Sequence, residues 1–336
     1  MMAELYLKKP LDLELKSSDA LPPLQPNQIR IRLLYGGICG SDLSVYSGKL
    51  AYARYPLRPG HELVGRIAAT GREVSLSVGT KVVVTPNSFC GKCSYCLNGK
   101  PNICSEKRSF GINEDGGFAH EIIVDASYVY PVSESVSDEA AVLIEPLAVI
   151  VHGFNRVPIL PKTAVLIVGC GTEGLLAASL ASYIGADVTA VDINPKKLKM
   201  LEAFKEIETM HPSKAKAGAY DVVIEAAGTK QAVESCFTWL KPGGSLLLLG
   251  ITPEASIPVA QVVRNEQTIV GSIIYDFPAD FEKSIYYLKD RHFNPTVFIS
   301  KIYPYTDYRQ AYEMALTGNY AKILLDFKED DSECKS

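Results

Sequence analysis

The chain has 336 residues, 47% of them apolar and 21% charged, and 34 basic against 38 acidic residues leave a net charge of −4. That balance excludes a disordered or collagen-like chain, and the lack of a basic run argues against nucleic acid as a partner. The length favours two domains.

The opening segment MMAELYLKKPLDLEL lacks the apolar core of a signal peptide. No later stretch reaches about 18 uninterrupted apolar residues, so a cytoplasmic protein with no membrane span is expected. Residues 1 to about 147 read as short strands between turns, among them Gln28–Tyr35 (QIRIRLLY), Val64–Ala69 and Lys81–Thr85. From about Thr163 the rhythm changes. Ala164–Val168 (AVLIV), Val188–Val191, Asp221–Glu225 (DVVIE) and Ser245–Leu249 are apolar runs alternating with helical stretches such as Leu175–Ile184. Parallel strands buried on both faces read this way, which predicts a doubly wound α/β unit. After Ile269–Tyr275 the pattern is mixed, with helices predicted at Ala279–Lys289 and Tyr308–Leu316 and a last strand at Ala321–Phe327. This part is expected to fold back onto the first region, and the charged tail KEDDSECKS to fray.

Four of the eight cysteines, Cys90, Cys93, Cys96 and Cys104, form a C-x2-C-x2-C-x7-C cluster. Four thiolates brought together by tight turns can close a tetrahedron around zinc and leave no position for water, a structural site; an iron–sulfur cluster is the other chemistry they suit. The run AVLIVGCGTEG sets Gly169, Gly171 and Gly174, with Thr172 and Glu173 between them, at the turn from a buried strand into a helix. Such a turn lets backbone approach a pyrophosphate that the helix N-terminus attracts. Eighteen residues beyond Gly174 stands Asp192, whose carboxylate can accept both hydroxyls of an adenosine ribose and would repel a 2′-phosphate, favouring NAD over NADP. A methyltransferase also uses a Gly-rich turn and a ribose-binding acid, so this motif alone leaves the cofactor open. Ala227-Gly228 and Gly250-Ile251 follow later strands, at the edge where α/β sheets bind ligands, and are expected beside the nicotinamide. Lys197 lies beside the adenine or on a solvated helix face.

A third set is dispersed: Gly37-Ile38-Cys39-Gly40-Ser41-Asp42, Pro59-Gly60-His61-Glu62 and Ile144-Glu145-Pro146. Thiolate, imidazole and carboxylate are the ligand types of a zinc ion with one open position, although each residue alone is ordinary.

In this order the three segments, the four-cysteine lobe, Gly65, the Gly116–Ala119 stretch and the Gly-rich turn resemble the zinc-dependent medium-chain dehydrogenase/reductase superfamily along essentially the whole chain. Glutamate before Pro146 is similar to the branch of sorbitol, other polyol and threonine dehydrogenases. The resemblance implies an α/β protein with a GroES-like, partly β catalytic domain over 1–147 and 275–336, its zinc lobe at about 88–106. A Rossmann NAD-binding domain over 148–274 would interrupt it, with the active site in the cleft between. It implies two zinc ions per chain, one structural and one catalytic on Cys39 and His61, with Glu62 and Glu145 supplying the remaining oxygen directly or through water. The implied reaction passes a hydride from a secondary alcohol, on a polyol, sugar or amino alcohol, to NAD+, with Ser41 accepting the hydroxyl proton. Two departures stand out: Ser44 where many relatives carry a histidine, and Ile274-Tyr275 where the polyol branch often has Arg-Tyr. Tyr46 and Tyr275 are candidate substrate contacts, and a homodimer or homotetramer is expected. The rivals are an NADP-dependent alcohol dehydrogenase and a nucleotide-binding sensor that has lost its chemistry, although every zinc ligand is present.

Overall fold

The computed structural model describes residues 3–17 and 21–328; the charged tail beyond Lys328, Cys334 included, lies outside the described residues. The chain begins with an antiparallel hairpin, β1 (Ala3–Lys9) and β2 (Asp12–Ser17). In β3 (Gln28–Ile38) the alternating Ile29, Ile31 and Leu33 are fully buried, and the strand runs into α1 (Gly40–Tyr46). β4 (Glu62–Thr70) and β5 (Lys81–Val84) come next, then a small lobe holding β6 (Asn87–Ser88), α2 (Ser94–Leu97) and β7 (Arg108–Ser109). β8 (Glu121–Asp125) and β9 (Val129–Pro131) precede α3 (Asp138–Val142), whose start is fixed by the Ser137 hydroxyl accepting from the Ala140 N–H. α4 (Ile144–Arg156) ends this part of the chain.

The alternating part then begins: β10 (Ala164–Val168), α5 (Thr172–Ile184), β11 (Asp187–Val191), α6 (Pro195–Leu198), β12 (Glu208–Met210), β13 (Tyr220–Glu225), α7 (Lys230–Trp239), β14 (Leu240–Leu248), α8 (Val259–Arg264), β15 (Thr268–Gly271) and α9 (Ala279–Lys289). α5 stops where Gly185 turns left-handed at φ +97°, a conformation glycine adopts without strain. The chain closes with β16 (Ile299–Pro304), α10 (Tyr308–Leu316) and β17 (Lys322–Asp326).

Two compact units result. The first runs to Glu145 and takes in Ile299–Thr317 and the segment from Lys322 on; the second is Pro146–Phe298 with Gly318–Ala321. In the first, the seven-stranded sheet has the order β16-β17-β3-β4-β5-β9, with β8 also on β3. One edge of β3 is shared: Gln28–Arg32 pair with β8 and Tyr35–Ile38 with β17. In the second, six parallel strands lie in the order β12-β11-β10-β13-β14-β15. Its core packs residues such as Ile167, Leu176 and Ile224, which are completely buried. The strand order reverses between β10 and β13, the point where doubly wound sheets bind dinucleotides.

The sequence pattern assigns 275–298 to the first region. In the structure this segment belongs to the second unit, because Phe293 and Phe298 bury in that unit's core cluster and Tyr287 and Leu288 of α9 pack against it. Among the described residues no helix is long and apolar enough to cross a membrane.

Candidate metal centres and coenzyme site

In the first unit, β3 delivers Cys39 to the start of α1, and β4 opens with Glu62 directly after His61. Gly37 pairs with Glu62 across the two strands, and a Cβ on Gly37 would stand 2.1 Å from Glu62 Oε2. Glycine there lets the carboxylate lie against β3. One ligand atom each from Cys39, His61 and Glu62 lie within 4.8 Å of one another.

Behind them stands Asp42, 1% exposed. One of its oxygens accepts the Cys39 N–H at 2.9 Å, and the other is 3.1 Å from His61 Nδ1 and accepts the Gly60 N–H at 3.3 Å. The pairing holds the ring with Nε2 facing away from Asp42, 3.3 Å from the Ser41 hydroxyl. A carboxylate on the far nitrogen is the usual support of a metal-binding histidine, raising its basicity and fixing its tautomer. Burial opposes a charged His61, yet Asp42 and Cys39 raise its pKa well above the ordinary value.

Glu62 is completely buried, and both its oxygens accept from Lys322 Nζ, at 2.5 and 2.6 Å; Lys322 is 1% exposed and also donates to the Ile38 carbonyl. Burial works against the ammonium, but Glu62 first, then Cys39 and Glu145, hold its pKa above the usual lysine value. Glu145, 8% exposed in the first turn of α4, contributes to that field but does not join the close donor group. Thiolate, imidazole and carboxylate fit zinc with an open position.

The lobe residues Cys90, Cys93, Cys96 and Cys104 bring their sulfurs together, all four within 4.8 Å. Cys93 Sγ lies 3.5 Å from Cys96 Sγ and 3.9 Å from Cys104 Sγ. Zinc–sulfur bonds of about 2.3 Å in a tetrahedron separate sulfurs by about 3.8 Å, whereas a disulfide needs about 2 Å. Backbone N–H groups of Cys90 and Glu106 point at Cys104 Sγ, and that of Cys93 at Cys90 Sγ. N–H groups of Cys96 and Ser105 hold the Cys93 thiol down at about 6, which favours the thiolate a metal needs. The four donors fit a closed zinc site.

In the second unit Gly169 has φ +94°, and a Cβ there would meet Ala227 at 2.8 Å. A Cβ on Gly174 would strike the Gly169 carbonyl at 1.8 Å, so α5 can start this close to β10 only with glycine. Gly171, in contrast, faces open space, with nothing within 4 Å of an added Cβ. Thr172 and Glu173 form the first turn of α5, where the positive end of the helix dipole attracts an anion. Asp192, 8% exposed, ends β11 and accepts the Cys170 and Asn194 N–H groups, each at 2.7 Å, which ties it to the Gly-rich turn. Lys197 in α6 offsets part of the rise that burial and Asp192 impose on the Cys170 thiol, so its ammonium field reaches that turn. Ala227 and Gly228, at φ +64°, lie just past β13, and a Cβ on Gly228 would lie 3.3 Å from Ile251 N. Gly250 packs against Glu225 and Gly228, while Ile251 is 76% exposed. The open Gly171, the glycine cradle and the carboxylate at the next strand's end fit a dinucleotide.

The two candidate substrate tyrosines sit differently from a free pocket wall. Tyr46 is half-buried with its ring 5.1 Å from that of Tyr312, and Tyr275 is 2% exposed against Phe281. Ser44 donates its hydroxyl one turn back to the Gly40 carbonyl. The sequence pattern alone assigns no role to Asp42 or Lys322. Asp42 has a signal, its place three residues after Cys39 where it closes a capping box; for Lys322 the trace is a lysine directly before the apolar run Ile323–Leu325.

Comparison with known proteins adds the lineage. The family profile of the alcohol dehydrogenase GroES-like domain matches residues 25–134, and that of zinc-binding dehydrogenase matches 174–290. The chain is 33% identical to D-altritol 5-dehydrogenase of Agrobacterium fabrum over 74% of this chain and 77% of that one. It is 27% identical to D-arabinitol dehydrogenase 1 of Uromyces fabae over 96% of this chain and 97% of that one. The solved structure of a short chain alcohol dehydrogenase (rspB) from E. coli CFT073 complexed with NADH matches with a TM-score of 0.90 and 25% identity, covering 97% of this chain and 99% of that one.

Proposed function

This chain belongs to the zinc-dependent medium-chain alcohol dehydrogenase family, with its GroES-like domain, and from that premise we propose that it oxidises a secondary hydroxyl of a polyol, sugar or amino alcohol with NAD+, reversibly. The observation that carries the reading is the convergence of Cys39, His61 and Glu62 with the buried Asp42 behind the imidazole. When bound, zinc supplies Lewis acidity that makes a substrate hydroxyl more acidic, and the nicotinamide dinucleotide supplies the hydride acceptor.

The residues divide the remaining work. Cys39 and His61 are the protein's zinc ligands, with Glu62 the nearest carboxylate donor and Glu145 a second one farther off. Asp42 accepts a hydrogen bond from His61 Nδ1–H, which leaves the Nε2 lone pair for the metal. Ser41 accepts the alcohol proton at its hydroxyl and passes it on; its place 3.3 Å from His61 Nε2 supports this. The Ser44 hydroxyl already serves the Gly40 carbonyl, so no step is assigned to it. Cys90, Cys93, Cys96 and Cys104 hold the structural zinc, which suits a reducing compartment such as the cytoplasm.

On the coenzyme side, Gly169, Gly171, Thr172, Glu173 and Gly174 receive the pyrophosphate, and Asp192 accepts the adenosine ribose hydroxyls, favouring NAD over NADP. Lys197 flanks the adenosine, while Ala227, Gly228, Gly250 and Ile251 line the nicotinamide end. Tyr46 and Tyr275 remain the candidate substrate contacts, Tyr275 only through whatever small part of its ring is left exposed. A homodimer or homotetramer is supported by β15 standing last in its sheet among the described residues and by Val259 and Val263, which are 65% and 69% exposed on α8.

The test is NADH formation by zinc-loaded protein across polyols, sugars, threonine and simple secondary alcohols, with NADP+ in parallel, and the same panel with Cys39→Ala. Turnover of a vicinal diol or amino alcohol with NAD+, lost in Cys39→Ala, is expected. Turnover with NADP+ alone would overturn the role given to Asp192.

A further inference from the structure

Glu225, at the end of β13, is completely buried, and its Oε2 is the one buried carboxylate oxygen among the described residues without a hydrogen-bond partner. Removing a carboxylate from water is costly, and an amide or an apolar residue would cost less at the end of a strand, directly after the buried Val222, Val223 and Ile224. The carboxylate organises the backbone around the strand's end. Its Oε1 accepts the N–H groups of Ala227 at 2.9 Å and Gly228 at 2.8 Å, and the main-chain carbonyl of the same residue accepts those of Leu249 at 2.9 Å and Gly250 at 3.0 Å. Burial pushes its carboxyl up, while the N–H groups of Gly228, Ala227 and Thr229 pull against that rise. Gly250 must lack a side chain, since a Cβ there would stand 2.4 Å from Glu225 Oε2. One residue thus shapes both turns beyond β13 and β14.

Those turns form one lip of the point where the strand order reverses. The other lip holds the Gly-rich turn after β10 and Asp192 after β11. The lips meet where the Ala226 N–H bonds the Val168 carbonyl at 2.9 Å and Ala227 packs against Gly169. A doubly wound sheet binds the two halves of a dinucleotide on its two sides. The pyrophosphate turn and the ribose acid both belong to the β10–β11 side, which leaves the β13–β14 lip for the nicotinamide half.

We propose that Glu225 is a positioning residue for the nicotinamide half of the coenzyme, holding the Ala227-Gly228 and Gly250 backbone in the conformation that receives it without touching the coenzyme itself. The proposal rests on the reading of the second unit as a nicotinamide dinucleotide site.

The experiment compares binding of NADH and of ADP-ribose to the zinc-loaded enzyme by calorimetry, for the unmodified protein, Glu225→Ala and Glu225→Gln, with amide exchange measured over residues 226–229. Losing an acceptor for buried N–H groups predicts NADH binding weaker on the order of 10- to 100-fold in Glu225→Ala, with ADP-ribose within about 3-fold. Glu225→Gln keeps an oxygen for the same N–H groups, so it restores NADH affinity to within about 5-fold and keeps the amide protection. Equal losses for both ligands mean a general structural role and overturn the proposal, as does no loss for either, or a Gln variant as weak as the Ala variant. Should Glu225→Ala not fold, the Gln variant decides: faster exchange at 227–229 with unchanged NADH affinity overturns the proposal, and preserved protection with preserved affinity supports it. Failure of the unmodified protein to bind either ligand would instead remove the coenzyme reading, and this proposal with it.

Discussion

Replacing Lys322 by Met tests the buried pair most directly. The ammonium is 2.5 and 2.6 Å from the two oxygens of Glu62, and the side chains are 1% and 0% exposed, so water takes almost no part in screening them. Methionine fills much of the lysine volume but leaves the Glu62 carboxylate buried without its cation. Breaking one partner of such a pair costs about 3–5 kcal/mol, far above the roughly 0–1 kcal/mol of an exposed pair. At about 2–4 °C per kcal/mol for domains of 150–250 residues, the melting temperature should fall by roughly 6–20 °C. The assay is calorimetric melting of Lys322→Met, Glu62→Gln and the double variant, with chelator and again loaded with zinc. The double variant should regain more than half of the loss, because no charge is then stranded. Zinc loading should shrink the deficit of Lys322→Met, since Glu62 stands within reach of Cys39 and His61 and a cation there would neutralise it. A single variant that melts within about 2 °C of the unmodified protein, or strictly additive effects in the double variant, would refute the account of Lys322 and Glu62 as a mutually dependent pair.

Asp42→Asn takes the charge from behind His61 and should weaken zinc binding at the Cys39 site about 10- to 100-fold, read by competition with a chromophoric chelator, while the lobe's zinc is unaffected. With Asp192→Ser, kcat/KM with NAD+ should drop on the order of 10-fold or more while that with NADP+ holds or rises; an unchanged ratio of the two would remove Asp192 from coenzyme selection. Cys96→Ser should reduce bound zinc from about two to about one per chain and lower the melting temperature, and full zinc content in that variant would mean that the lobe is not a four-thiolate site.

The features legible in the sequence are the local ones. The lobe cysteines lie within fifteen residues, and a short span bent by tight turns can gather its donors whatever the rest of the chain does. The Gly-rich turn is equally plain, because a strand buried on both faces must be apolar throughout and Gly174 is required by a contact only five residues back, to Gly169. Long-range partners leave fainter traces. Lys322 meets Glu62 across 260 positions, and only the β17–β3–β4 pairing brings them together. The boundary near 275 misleads for a related reason: α9 alternates charged and apolar residues as a helix of either unit would, and the deciding fact is which core its Tyr287 and Leu288 and the later Phe293 and Phe298 join. Tyr275 shows the same limit, since an aromatic after a strand has equal claim to a pocket or to a core until its neighbour Phe281 is placed. Glu225 is the converse case, a charge at the end of an apolar strand that can be seen in DVVIE yet has no meaning until the turns after β13 and β14 fold around it. Lys322 and Glu225 share that form, a buried charge beside apolar strand residues whose strand carries a second, half-buried charge, Asp326 or Asp221, and neither has a meaning until its partners are in place, Glu62 for Lys322 and the Ala227 and Gly228 N–H groups for Glu225.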